Sequence, residues 1–111
     1  MKQESLFDVS DPRGYTVSCS KDQWENHIIL GHPEVSGKES LVQSAISDPD
    51  IIFKSDEYND RDVYFRKIDA VDNQMKVIVK MTSNFGDVIT AFPRKGVKGG
   101  IDTEVVRYVK P

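Results

Sequence analysis

Three things are scarce in this sequence: cysteine, histidine and long apolar stretches. Cys19 is the one cysteine among 111 residues, so no disulfide can form within the chain, and a lone thiol is typical of a reducing compartment. No apolar run approaches the roughly 18–20 residues that a membrane-spanning helix needs. The N-terminal residues MKQESLFDVS lack the apolar segment of a secretory signal. We therefore expect a cytoplasmic protein that does not bind membranes.

An excess of positive charge is missing as well. The 15 Lys and Arg residues are outnumbered by 18 Asp and Glu residues, which gives a formal net charge of −3. The chain as a whole therefore exerts no electrostatic attraction on nucleic acid. Any activity on nucleic acid would need a local basic patch.

The apolar pattern predicts an α+β fold in a single domain. Two capping boxes, Ser20 with Gln23 and Ser36 with Glu39, predict two helices, the first over 21–30. From 51 to 92 the pattern alternates and predicts four strands in an antiparallel meander, so we expect the two N-terminal helices to pack on one face of a four-stranded antiparallel sheet. The tail fits either an edge strand or a short helix. The expected parts of the domain 1–111 are an N-terminal arm (1–19), a core (20–96) and a C-terminal tail (97–111).

Alternation along the strands predicts which side chains share a face. Val63 and Phe65, together with the apolar set of the next strand, are expected to face the helices. The opposite, open face would then carry polar side chains: Tyr64, Arg66, Lys76, Lys80 and Thr90. Guanidinium, ammonium and hydroxyl groups form a phosphate-binding surface, but a solvated sheet face contains the same residue types. Both interpretations stay open at this level.

The two histidines, His27 and His32, lie five residues apart in the stretch ENHIILGHPEV. On a helix this spacing turns the side chains about 140° apart, and no further Cys or His is present to complete a ligand set, so we expect no metal site. His27 also fits a helix surface, and His32 fits a cation near a helix C-terminus. Gly31 ends the helix and Pro33 stiffens the exit, so His32 is the histidine expected to reach the sheet.

The order of several short segments resembles a known family. The pattern W-x-x-H-I-x-x-x-H-P-E, followed by SDPDIIFKS, VYFRKI, MKVIVK and VITAFPRK, is similar to the phage-associated nucleases of the Barnase–EndoU–colicin–RelE-like (BECR) group, over residues 20–96. Many members of that group are metal-independent ribonucleases, often toxins, in which N-terminal helices pack on a curved antiparallel sheet.

The resemblance implies a metal-independent ribonuclease without a cofactor, in which the ribose 2′-OH attacks the adjacent phosphate. It implies that His32 and His27 are the acid and the base. Arg66 and Lys80 would stabilise the phosphate or the transition state, and the hydroxyl of Thr90 would orient the phosphate. The candidate substrate-binding residues are Tyr64, Lys76, Arg94 and Lys95. The implied partners are RNA, with tRNA among the candidates, and a cognate inhibitor or immunity protein.

An acidic cluster leaves a second function open. Asp56, Glu57, Asp60 and Asp62 lie close in sequence to the strand that is expected to carry the site. Their charge disfavours RNA, so the alternative is a non-catalytic interaction module of phage or toxin origin that keeps the fold.

Overall fold

The computed structural model describes residues 4–111, which form an α+β fold built on one seven-stranded mixed sheet. The spatial order of the strands is β1-β2-β6-β5-β4-β3-β7. Neighbouring strands are antiparallel except β2 and β6, which run parallel. The strands are β1 (Ser5–Ser10), β2 (Thr16–Ser20), β3 (Ile51–Ser55), β4 (Arg61–Lys67), β5 (Asn73–Thr82), β6 (Phe85–Lys95) and β7 (Ile101–Val109).

The helical residues lie between β2 and β3. The first helix runs from 21 to 31 and contains a π-helical turn between two short α-helical pieces. A 3-10 turn at Pro33–Val35 leads to the second helix, Glu39–Ser47. In the part of the chain that the structure describes, neither helix is long and apolar enough to cross a membrane.

Only one of the two predicted capping boxes caps a helix. The Gln23 backbone N–H donates to Ser20 Oγ at 3.0 Å, so the first helix begins as expected. The second helix begins without a side-chain cap. Its predicted box is wrong because the Glu39 carboxylate accepts from the Gly37 backbone N–H, at 3.1 Å, and not from the Ser36 N–H.

The predicted architecture, two helices on a four-stranded antiparallel meander, is wrong. β3 to β6 lie where alternation predicts strands, but β1 and β2 extend the sheet at one edge and β7 extends it at the other. β7 was hard to recognise because its alternation is interrupted. Consecutive residues Phe53 and Lys54 of β3 pair with Val106 and Asp102, so three residues of β7 bulge out between those partners.

Apolar clusters lie on both faces of the sheet, and this reverses the predicted orientation of β4. Tyr64 packs in the larger cluster, against the helices, whereas Val63 and Phe65 form the second cluster with Phe53 on the other face. Ile101, at the start of β7, packs on that second cluster. The second face thus has a small apolar core, formed mainly by β3 and β4 and extended by one residue of the tail, which alternation within β4 could not reveal.

A bulge also changes the predicted orientation of β6. Adjacent residues Ile78 and Val79 of β5 pair with Thr90 and Val88, so Ile89 is the additional residue. Val88 therefore joins the helix-covered core, although it was expected to share a face with Thr90.

Candidate functional site

The free edge of β6 brings a histidine to the sheet. β2 pairs with β6 only at residues 85–87, so the edge of β6 beyond them has no strand neighbour among residues 4–111. The first helix follows this edge, because Gln23 Nε2 donates to the carbonyl of Ile89 at 2.7 Å. At the end of the helix the imidazole of His32 stacks on the ring of Phe92, with 4.3 Å between the ring centroids.

The second histidine does not reach the sheet. The side chain of His27 is 60% exposed, and its Nε2 lies 3.8 Å from the carboxylate of Asp22 on the same helix. Of the two candidate acid and base residues, His32 is therefore the one in contact with a strand.

Beside Phe92 lies a buried lysine, Lys76, which is its partner across the β5–β6 pairing. Lys76 Nζ is 5.4 Å from the centroid of the Phe92 ring and 5.8 Å from that of Phe65. The residue is only 4% exposed. Its ammonium donates to the carbonyl oxygen of Gly99 at 2.6 Å and, at 3.4 Å, to that of Lys98.

Lys76 has no carboxylate partner among residues 4–111 within ion-pair distance. Burial lowers the pKa of its ammonium and the neighbouring Arg94 lowers it further, whereas the carboxylate of Asp56, outside ion-pair distance, opposes part of this shift. An ammonium that is easier to deprotonate can donate a proton in a reaction near neutral pH more readily than an exposed lysine.

Three buried polar atoms on the same face have no hydrogen-bond partner in the part of the chain that the structure describes: Arg61 Nε, Gln74 Oε1 and Arg94 Nε. Gln74 and Arg94 are cross-strand partners, and the Arg61 guanidinium lies 3.8 Å above the centroid of the Tyr58 ring. Buried polar atoms are normally paired, because leaving them unpaired costs free energy. We call this side of the sheet the cationic face and define it by Arg61, Lys76, Lys80, Thr90, Phe92 and Arg94.

The structure brings together some of the residues proposed from the sequence. Lys76, Lys80, Thr90 and Arg94 lie on the cationic face, and His32 contacts its edge. Lys80 is exposed, and Thr90 lies two residues before Phe92 on the same side of β6. Lys95, the next residue after Arg94, is exposed at the end of β6.

Tyr64 lies on the helix-covered face and not on the open face, because β4 has the reversed orientation. Its side chain is fully buried; the hydroxyl donates to Asp11 Oδ2 at 2.7 Å and accepts from Arg13 Nη2 at 3.0 Å. Burial raises the pKa of the Tyr64 phenol, and Asp11 raises it further. Arg13 also pairs with Asp62 at 2.9 Å. We call these four residues the Arg13 network; they leave Tyr64 no surface for a substrate.

Arg66 also lies on the helix-covered side, opposite Met75. Its Nη1 donates to both the backbone carbonyl and the carboxylate of Asp48, each at 2.7 Å. Lys110 shares that carboxylate at 3.0 Å. Arg66 therefore joins β4 to the end of the second helix and does not belong to the cationic face.

Sequence reasoning missed the residues that are important only in three dimensions. The segment DPRG indicated a turn, and its carboxylate does accept turn N–H groups, from Arg13 and Tyr15. Nothing local showed that Arg13 would reach Asp62, or that both would line a pocket of about 510 Å³ together with Arg107. The aromatic residue of VITAFPRK was visible, but its stacking on His32 depends on the path of the first helix.

Metal-binding groups and similarity to known proteins are two guides to a protein's function. Within residues 4–111 no three His, Cys, Asp or Glu side chains form a group that could hold a metal ion. Comparison of the chain with protein-family models, with curated proteins and with solved structures found no match. The arguments for function therefore rest on the residues of the cationic face.

Proposed function

We propose that this chain is a metal-independent ribonuclease that cleaves RNA on the cationic face. The observation that supports it best is the stacking of His32 on Phe92, because a proton-transferring imidazole then lies beside a ring that also faces Lys76. Cleavage of RNA without metal needs a base for the 2′-OH, an acid for the leaving oxygen and cations for the phosphoryl charge. Residue types for each role lie on or beside this face.

The proposed reaction uses four of these side chains. His32 accepts the proton of a ribose 2′-OH while the 2′-oxygen forms a bond to the adjacent phosphorus. The bond from phosphorus to the 5′-oxygen breaks, and Lys76 gives that oxygen a proton. Arg94 stabilises the charge that develops on the phosphoryl oxygens, and the Thr90 hydroxyl orients the phosphate. The products are a 2′,3′-cyclic phosphate and a 5′-hydroxyl end.

The cellular setting and partners are part of the same proposal. Cys19 is a buried, unpaired thiol, which is compatible with the reducing cytoplasm, where RNA is abundant. A ribonuclease of the toxin type damages the RNA of its own cell unless an inhibitor covers its site. A cognate inhibitor that contacts the cationic face is accordingly the second expected partner, after RNA.

The test compares the two histidines. Purified protein is incubated with a short single-stranded RNA in EDTA at neutral pH, and the ends of the products are determined. We expect cyclic phosphate ends, a loss of about 10²–10⁴-fold in rate for His32→Ala, and little change for His27→Ala, whose side chain is 60% exposed and lies beside Asp22 of its own helix. A folded His32→Ala protein that cleaves at the unchanged rate would rule out this assignment.

A second function is favoured by one specific observation. Lys76 is covered and its ammonium is already hydrogen-bonded, so the face is closed in this conformation. A non-catalytic interaction module would have the same features. Absence of RNA cleavage by the protein and by every variant described here, together with capture of a protein partner that His32→Ala no longer binds, would favour the module.

A further inference from the structure

We infer that residues 96–100, which we call the strap, inhibit the site by occupying it. The backbone carbonyls of Gly99 and Lys98 take the position in which phosphate oxygens of RNA would bind Lys76 and Arg94. This inference rests on the proposed function for the nature of the ligand. The contacts that support it are those of the strap with the two cations.

The strap backbone lies directly on both cations. Lys76 Nζ donates to the Gly99 carbonyl at 2.6 Å and to that of Lys98 at 3.4 Å. A β-carbon at Gly99 would lie 3.1 Å from Lys76 Nζ and 3.2 Å from Arg94 Cζ. A single residue of the strap thus fills the space that the ammonium and the guanidinium share.

Carbonyl oxygens satisfy these cations only in part. A carbonyl is a dipole, whereas a phosphate has a full negative charge and accepts from several donors at once. Arg94 Nε, a donor, has no hydrogen-bond partner among the described residues, and Lys76 forms no ion pair with any of them. A phosphate could neutralise Lys76 and Arg94 together, which removes the repulsion between them. RNA therefore has a stronger acceptor to offer than the strap does.

The composition of the strap allows it to leave. Gly96, Gly99 and Gly100 all have positive φ, at 78°, 89° and 67°, a backbone conformation that glycine adopts without strain. Backbone hydrogen bonds hold the ends: Gly96 N–H donates to the Asp72 carbonyl at 2.9 Å, and the Gly100 carbonyl accepts from Asp56 N–H at 3.1 Å. Because backbone hydrogen bonds hold both ends of the strap and glycines make it flexible, the strap can open without unfolding the sheet.

Gly99→Ala tests the strap because the closed form cannot accommodate the new methyl group without strain. The matched control is Gly14→Ala, at φ 86°, where a β-carbon would meet nothing within 4 Å. The probe is a fluorescent single-stranded oligonucleotide with only 2′-deoxy sugars, which this mechanism cannot cleave, and binding is followed by anisotropy. We expect Gly99→Ala to bind about 5- to 30-fold tighter than the control, the factor that corresponds to a strain of about 1–2 kcal/mol.

Additional measurements separate the possible outcomes. The gain should disappear in Lys76→Met/Gly99→Ala, and strap amides should exchange faster in Gly99→Ala than in Gly14→Ala. Faster exchange without tighter binding, or a gain in affinity that survives the loss of Lys76, would overturn the inference.

Gly100→Ala is a second variant, for use if Gly99→Ala fails to fold. Its β-carbon would approach only Asp56, at 4.0 Å, so it strains the strap without touching Lys76 and should also tighten binding. Tighter binding without RNA cleavage by either protein would support the strap and reject the ribonuclease.

Discussion

The two faces of the sheet treat buried charge in opposite ways. On the helix-covered face, the Arg13 network pairs its guanidinium with two carboxylates and a phenol, so each charge has a partner. On the cationic face, Lys76 has only backbone carbonyls, and Arg94 Nε has no partner among the described residues. In a closed network, removing one member leaves a buried charge uncompensated, so the fold depends on each member, whereas a buried cation held only by carbonyl oxygens can still take an anion as a partner.

The first prediction has the largest expected effect and tests the closed network. Arg13→Met leaves the fully buried carboxylate of Asp11 without a cation, and it leaves Asp62, 8% exposed, with only the more distant Arg107. Losing one partner of a buried ion pair typically costs about 3–5 kcal/mol, and we expect a loss of that size in the free energy of unfolding from urea titration. Arg107→Met is the control, since that guanidinium is more exposed and lies 3.5 Å from Asp62. Equal losses in the two variants would contradict the special role of Arg13.

The second prediction concerns the phenol of the same network. Tyr64→Phe removes a hydroxyl that donates to Asp11 and accepts from Arg13, so we expect a loss of about 1–3 kcal/mol in stability with no change in RNA cleavage. A folded Tyr64→Phe protein that cleaves RNA at a reduced rate would instead show that the Tyr64 hydroxyl contributes to the reaction.

The pH dependence gives an independent measurement on Tyr64. Burial and Asp11 raise the pKa of the phenol in the folded protein above that in the unfolded chain. The folded state then holds the proton more tightly, so this contribution to stability is complete below the unfolded pKa of about 10 and declines as the pH rises through it. Tyr64→Phe should lose this part of the alkaline decline in unfolding free energy.

Local patterns predicted elements, and long-range packing decided how they are arranged. Alternation located β3 to β6, and Ser20 marked the start of the first helix, because period and capping are properties of neighbouring residues. The helix runs one residue beyond its predicted end, since Gly31 is its last residue and His32 is the C-cap. β1 and β2 were not predicted as parts of the sheet, and the tail that forms β7 was left open between an edge strand and a short helix. Their pairing depends on partners far along the chain, including a parallel contact between β2 and β6 that no hairpin turn could indicate.

The same division between local and long-range properties applies to the candidate site. Gly31 and Pro33 predicted that His32 leaves the helix direction, and this is a local property. The orientation of β4 is not a local property. Val63, Tyr64 and Phe65 are all apolar enough to face a core, so the packing of the rest of the chain on each face decides which of them face the helices. The strap was visible as a basic glycine-rich loop, but its contact with Lys76 spans more than 20 residues.

The third prediction tests the cationic face. Lys76→Met removes a buried cation without an acid partner and replaces it with an apolar side chain, so we expect stability to be unchanged or higher. Binding of the deoxy oligonucleotide should weaken, and the slope of log affinity against log salt should fall by about 1, as for the loss of one phosphate contact. A large loss of stability would show that the lysine serves the fold, as Arg13 does.

The Lys76 ammonium should also appear in the pH profile, with the opposite sign to Tyr64. Its pKa is lowered by burial and by Arg94, so its charged form is disfavoured in the folded state. The unfolded chain then binds more protons between the folded and unfolded pKa, and stability rises with pH across that interval. Lys76→Met should abolish this rise. An unchanged profile would mean that the ammonium titrates as a solvated lysine does.

The fourth prediction has the smallest expected effect and decides the role of Arg66. Its partner Asp48 is exposed, and Lys110 and Arg66 lower the pKa of that carboxyl. The stabilisation is therefore present above the unfolded pKa of about 4 and is lost as the pH falls through the lowered folded value. Exposed ion pairs contribute little, so Arg66→Ala should unfold almost as the unchanged protein does at neutral pH. RNA cleavage by Arg66→Ala should be unaffected, because Arg66 lies on the helix-covered side. Loss of a group that stabilises the transition state would instead reduce the rate about 10²–10³-fold. Such a loss in a folded Arg66→Ala protein would move the reacting phosphate to the other side of β4 and contradict the division of roles between the two faces.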